Sequence, residues 1–194
     1  MAGQLDNAFL SPRMGCMAQL ASVRRLAADD GKGRGMRIFE FDNGSGLRFT
    51  VYPDRGMDIG AASYKGVPLA WMSCNGDVAP QFYDADGFEW LRTWPGGLLT
   101  GCGLTNVGGP NDAPGGPHGL HGRVSHIPAE EVNTSAAWLD GQTYELSASG
   151  RVRHSKVFGE KLALTRRIAT RLGSSTIEVR DAIETNDLKP FRDM

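Results

Sequence analysis

The chain has 194 residues, with 21 basic and 22 acidic side chains for a formal net charge of −1, and 40% hydrophobic against 22% charged residues. That balance is typical of a soluble globular protein with room for one domain core, and it provides no field that would concentrate a nucleic acid. No apolar run approaches the roughly 20 residues needed to cross a bilayer, and the N-terminal MAGQLDNAFLSPRMG lacks the uninterrupted apolar segment of a signal peptide, so no membrane partner and a cytoplasmic location are expected.

In chain order, MAQLASVRRLAADD (residues 17–30) suits a helix with Met17, Leu20 and Val23 near one face, and equally a strand through Ser22 to Leu26. GKGRG at 31–35 lacks the GxxxxGK[ST] spacing of a phosphate loop and reads as a solvated turn. The clearest signal follows in MRIFEFDNGSGLRFTVYPD. Phe39 and Phe41 alternate with charge, DNGSG supplies a turn, and Leu47, Phe49 and Val51 resume the alternation, with Ile38 on the opposite face of the first arm. This predicts a β-hairpin. GMDIGAASYKGVPLAW then predicts another strand, a turn and a further short strand.

From Asp77 to Pro117 regular structure is hard to find. A segment that long without periodicity is usually functional or disordered, and Trp90, Trp94, Leu98 and Leu99 argue against disorder. After it, TYELSASGRVRH, KLALTRRIA and STIEVRDAI alternate again. Tyr144, Leu146 and Ala148, then Leu162 and Leu164, then Ile177, Val179 and Ile183 face inward, and the basic residues between them, Arg166 included, form a wet sheet face. The chain closes on ETNDLKPFRDM, either a short tail or the beginning of more domain. Twenty-six glycines without a fixed period favour many tight turns over a repeat. Cys16, Cys74 and Cys102, odd in number and without a CxxC, read as buried small residues. The whole is a mainly β, antiparallel sandwich.

The functional question sits in GGPHGLHGRVSH, which holds three of the four histidines. His118, His121 and His126, with Glu130 or Glu131, could ligate a metal, although the spacing matches no zinc signature. One or two of them could transfer protons near neutrality, with the flanking glycines allowing close approach of substrate. A polar loop is the third reading. Arg55, Asp58, Trp90, Arg92, Trp94 and Arg123 add donor forks, an acceptor and flat apolar faces, which together suit a sugar.

Three blocks, PDRGMDIGAASYKGVPLAWMS, WLRTWPGGLLTGCGLTNVG and HGLHGRVSHIPAE, occur in an order that resembles the uncharacterised branch of the aldose 1-epimerase (galactose mutarotase-like) superfamily, over residues 20–187. The resemblance implies an antiparallel β-supersandwich with a carbohydrate cleft, of which the chain is the N-terminal part of a single domain. It implies a monosaccharide or sugar derivative as partner, and no cofactor or metal. It matches His121 to the histidine near the sugar ring oxygen, the catalytic acid. Arg55, Asp58, Trp90, Arg92 and Arg123 would line or organise the cleft, His118 would support it, and His126 would be a strand or surface residue. The family's distal glutamate base matches neither Glu178 nor Glu184, so a noncatalytic carbohydrate-binding module or inactive remnant is the first alternative. A metal-dependent sugar isomerase is the second.

Overall fold

The computed structural model describes residues 5–113 and 116–185. Strand β1 (Ser22–Ala27) resolves the ambiguity of residues 17–30 in favour of a strand, with a 3-10 turn at Met17–Gln19 just before it. Its β-branched and long side chains pair antiparallel with β2 (Arg37–Asp42), Val23 opposite Phe41, and that cross-strand pairing outweighs the helical spacing. The DNGSG turn joins β2 to β3 (Leu47–Tyr52), and β4 (Asp58–Tyr64) and β5 (Val67–Pro68) complete a five-stranded antiparallel meander. Phe41 faces Phe49 across the hairpin, their rings stacked with centroids 4.4 Å apart.

The long irregular segment contains short pieces. β6 (Trp71–Met72) pairs with β7 (Gly96–Gly97), and β8 (Asn111–Ala113) with β9 (Gly116–His118), with 3-10 turns at Pro80–Phe82 and Glu89–Arg92. A second antiparallel meander follows, β10 (Glu130–Trp138), β11 (Tyr144–Ser155), β12 (Lys161–Arg171) and β13 (Glu178–Thr185). The two sheets pack face to face. Phe39, Phe41, Leu47, Phe49 and Val51 from the first meet Tyr144, Leu146, Val152, Leu164 and Ile168 from the second in one buried cluster. Each such side chain contributes about 1.5–3 kcal/mol through burial, so this shared core holds the sheets together. Ile38, on the other face, joins a small cluster with Met36, Tyr52 and Ala79, as the parity of the strand requires.

Three expectations need correction. The cysteines are exposed, because none lies on a strand: Cys16 precedes β1, and Cys74 and Cys102 lie in the irregular connections that follow. Arg166 does not belong to the wet face: it is buried at 6% exposure, in step with Leu164 and Ile168 on the inner face of β12. Val179 and Ile183 do point inward, opposite Ile168 and Leu164, yet they are 36% and 48% exposed. They lie on the last strand of the second sheet's order, and neither belongs to the buried core cluster. Of the closing segment ETNDLKPFRDM, residues 186–194 lie outside the described residues.

Candidate functional site

The turn between β3 and β4 begins the site. Residues 53–58 are pinned to the 124–129 segment by Gly56 N–H to Ile127 O at 3.1 Å and Ala129 N–H to Pro53 O at 2.8 Å. Gly56 is required here: its φ is +60°, and a Cβ would lie 2.5 Å from Val124 O. The turn points Arg55 inward, where it is fully buried. One guanidinium nitrogen donates to Val78 O at 2.8 Å and another meets His126 Nε2 at 3.1 Å. Arginine has only donors, so His126 Nε2 accepts and its ring proton sits on Nδ1, facing Ser125 Oγ at 3.2 Å. Thr93 Oγ1 reaches the same Nε2 at 2.8 Å, and the Trp90 indole N–H donates to Ser125 Oγ at 3.3 Å. Burial, then the Arg55 charge, push the His126 pKa down to about 2, so this imidazole is neutral.

His126 is therefore an interior hub and not a strand or surface residue. It sits in a 3-10 turn, Val124–His126, all three residues of which are buried. Tyr83 stacks on it with ring centroids 4.0 Å apart, and Trp90 meets it edge-on at 6.0 Å. Trp90 also meets His121 edge-on at 5.0 Å, so one indole links the hub to the half-buried His121.

His121 is held by the 103–108 loop. Its N–H donates to Gly108 O at 2.9 Å, and Gly108 N–H donates back to His121 Nδ1 at 3.1 Å. A ring nitrogen that accepts from an amide carries no proton, so in the neutral ring the N–H is on Nε2. The backbone at His121 is left-handed (φ 57°), followed by Gly122 at φ 70°, an arrangement that costs on the order of 1 kcal/mol for a residue with a side chain. Two residues earlier, Gly119 lets the chain pass so close that a Cβ would lie 2.2 Å from Ala85 O.

Asp58 is buried in a different network. Its Oδ1 accepts from Gly101 N–H at 2.6 Å and lies 3.8 Å from Arg166 Nη1, while Arg166 grips Asp181 through two bonds of 2.8 and 2.7 Å. Burial pushes the Asp58 pKa up to about 7, against the opposing pull of the Gly101 amide, Arg55 and Arg166. Arg92 is exposed and paired with Glu89. Trp94 tilts against both Trp90 and Trp71, and its indole N–H donates to Thr100 at 3.0 Å.

Beside the histidine segment lies a cavity of about 710 Å³, a size ordinary for small-molecule sites. His118, Gly119, Gly122 and Arg123 line one side, and His154 and Glu160 the other. Of the expected residues the structure thus brings His118 and Arg123 to the cavity, while His121 is not one of its lining residues and is joined instead to Trp90. It sets Arg55 behind them through His126, places Asp58 with Arg166, and leaves Arg92 on the surface. His154, Tyr83 and Thr93 were missed. His154 was legible: the alternation Leu146, Ala148, Gly150, Val152 extends to it. Thr93 and Tyr83 carry no such periodic signal. Among the described residues no group of three His, Cys, Asp or Glu side chains is placed to hold a metal.

Residues 33–194 match the family model described as Domain of unknown function (DUF4432). None of the curated proteins matches. Two solved structures share the fold. A Klebsiella pneumoniae subsp. pneumoniae protein described as a candidate aldose 1-epimerase is 24% identical, with a TM-score of 0.78, over 88% of this chain and 46% of that one. Galactose 1-epimerase from Lactobacillus acidophilus is 8% identical, with a TM-score of 0.55, over 86% of this chain and 49% of that one. At these identities the likeness is one of fold, that of the aldose 1-epimerase-like β-supersandwich, and the chain spans about half the length of the structures it matches.

Proposed function

This chain belongs to the DUF4432 family, and we propose that it forms a sugar-binding wall of an aldose 1-epimerase-like protein, acting on a hexose or related sugar by acid–base ring opening. The reaction has two proton movements: the ring oxygen takes a proton while a base removes one from the anomeric hydroxyl. The ring opens, the aldehyde face turns, and closure gives the other anomer. His121 supplies the first half in this reading.

The observation that carries the reading is the setting of His121. Its Nδ1 is engaged by the Gly108 amide and its ring abuts Trp90, which leaves Nε2–H as the donor for a ring oxygen. The Arg55–His126–Ser125–Trp90 chain behind it holds the indole in place, so the donor is positioned before substrate arrives. Arg55 is then a positioning residue, acting through His126 and Trp90.

Exchange NMR on the α and β anomers of several aldoses tests this with the purified chain and His121→Ala. Any exchange above the buffer rate should fall on the order of 10²-fold or more with the substitution, the usual weight of a general acid. Exchange no faster than buffer for every sugar would reject mutarotation by this chain and favour the noncatalytic carbohydrate-binding reading.

A further inference from the structure

The cavity beside the histidine segment carries more positive charge than a neutral sugar needs. Arg123, Arg153 and Lys156 line it beside His118 and His154, against Glu160 as its acidic lining residue. Arg153 is partnered by Glu130. His154 Nε2 lies 3.2 Å from Glu160 Oε1. Arg123 makes no ion pair among the described residues, its guanidinium lying 6.0 Å from the centre of the Tyr83 ring, and Lys156 has Glu160 as its neighbouring counter-charge. A guanidinium without a carboxylate at the edge of a cavity is suited to an oxyanion, which its planar fork can hold through two bonds.

His154 lines the same cavity. It is 3% exposed, and its Nδ1 is buried with no hydrogen-bond partner. With Nε2–H given to the Glu160 carboxylate, Nδ1 of the neutral ring presents a lone pair, and burial favours that neutral form over the pull of Glu160. That nitrogen is closed to solvent, so the ring forms part of the cavity's wall behind the charged side chains.

We propose that this cavity binds a monosaccharide carrying an oxyanion, with Arg123 and Lys156 on the phosphate or carboxylate. The sugar part rests on the function proposed above, whereas the anion part rests on the lining charges alone. Glu160 holds the His154 ring in this wall through its Nε2.

Calorimetric titration of the whole chain with a hexose phosphate, a hexuronate, the neutral hexose and inorganic phosphate separates the possibilities. At least one of the two anionic sugars binds tenfold or more tightly than the neutral hexose, and the stronger of them identifies the oxyanion. Arg123→Gln, at an exposed position where folding is not at stake, weakens that anionic sugar at least tenfold, and Arg123→Lys recovers part of the loss. Equal affinity for neutral and anionic sugars would overturn this proposal and leave the sugar-binding function standing, as would a preference that Arg123→Gln does not change. Binding of inorganic phosphate with no sugar or sugar derivative bound would overturn both.

Discussion

Replacing Arg55 with alanine is expected to destabilise the folded chain by about 3–5 kcal/mol, the range found when one member of a buried polar network is removed. The side chain is fully buried, so its loss opens a cavity in addition to breaking the bonds to Val78 O and His126. Arg55→Met separates the two costs. It keeps most of the volume and removes the donors, so its loss in urea unfolding should be smaller than that of alanine but still about 1–3 kcal/mol, the cost of leaving buried acceptors unpaired. Both variants should also slow any anomer exchange, because the indole that abuts His121 is held through His126 and Ser125. Values within about 0.5 kcal/mol of the wild type for both would mean that the turn tolerates an empty interior and the hub positions nothing.

The second large effect is a pH dependence centred on Asp58. Its folded pKa of about 7 lies above the ordinary 3.8, so between those values the folded chain holds a proton that the unfolded chain has released. Stability from this group is therefore fully present below about pH 4 and is lost as pH rises through 7, a change on the order of 4 kcal/mol. His126 has the opposite sign. With its folded pKa pushed down to about 2, the unfolded chain takes up the proton first, and stability is lost as pH falls below about 6.5. The two slopes oppose each other between pH 4 and 6.5, so the wild-type curve alone is uninformative. The difference between wild type and Asp58→Asn isolates the carboxyl, since asparagine can still accept the Gly101 N–H. That difference should grow in favour of the variant as pH rises from 4 to 8. Parallel curves would show that Asp58 is ionised throughout, held by Arg166.

The sheets were readable from sequence because burial in a two-sheet sandwich follows strand parity. Phe39, Phe41, Leu47, Phe49 and Val51 fall on one face by alternation alone, and the same rule carried past Ala148 reaches His154. Parity also assigns Arg166 inward with Leu164 and Ile168, but its charge suggested a wet face. Only the approach of Asp58 and Asp181, distant in sequence, makes its burial tolerable. The site itself lies on connections without a period. His126 looked like a surface residue because nothing local shows that Arg55, 71 residues earlier, will meet it. Arg55 looked like a cleft residue for the complementary reason: a polar PDRG turn gives no sign that it folds inward against Val124–Ala129. His121 was singled out by resemblance, and its tautomer depends on the Gly108 amide, which no sequence pattern marks.

A long-range proton–nitrogen spectrum of the histidine side chains, recorded while a hexose is titrated into the chain, shows whether His121 presents its Nε2–H to the sugar. His121 is expected as the Nε2–H tautomer and His126 as Nδ1–H, with the His121 signals shifting saturably as sugar is added and those of His126 staying fixed. His121 signals that stay unmoved under sugar concentrations that saturate binding elsewhere, or a His121 proton on Nδ1, would contradict that role.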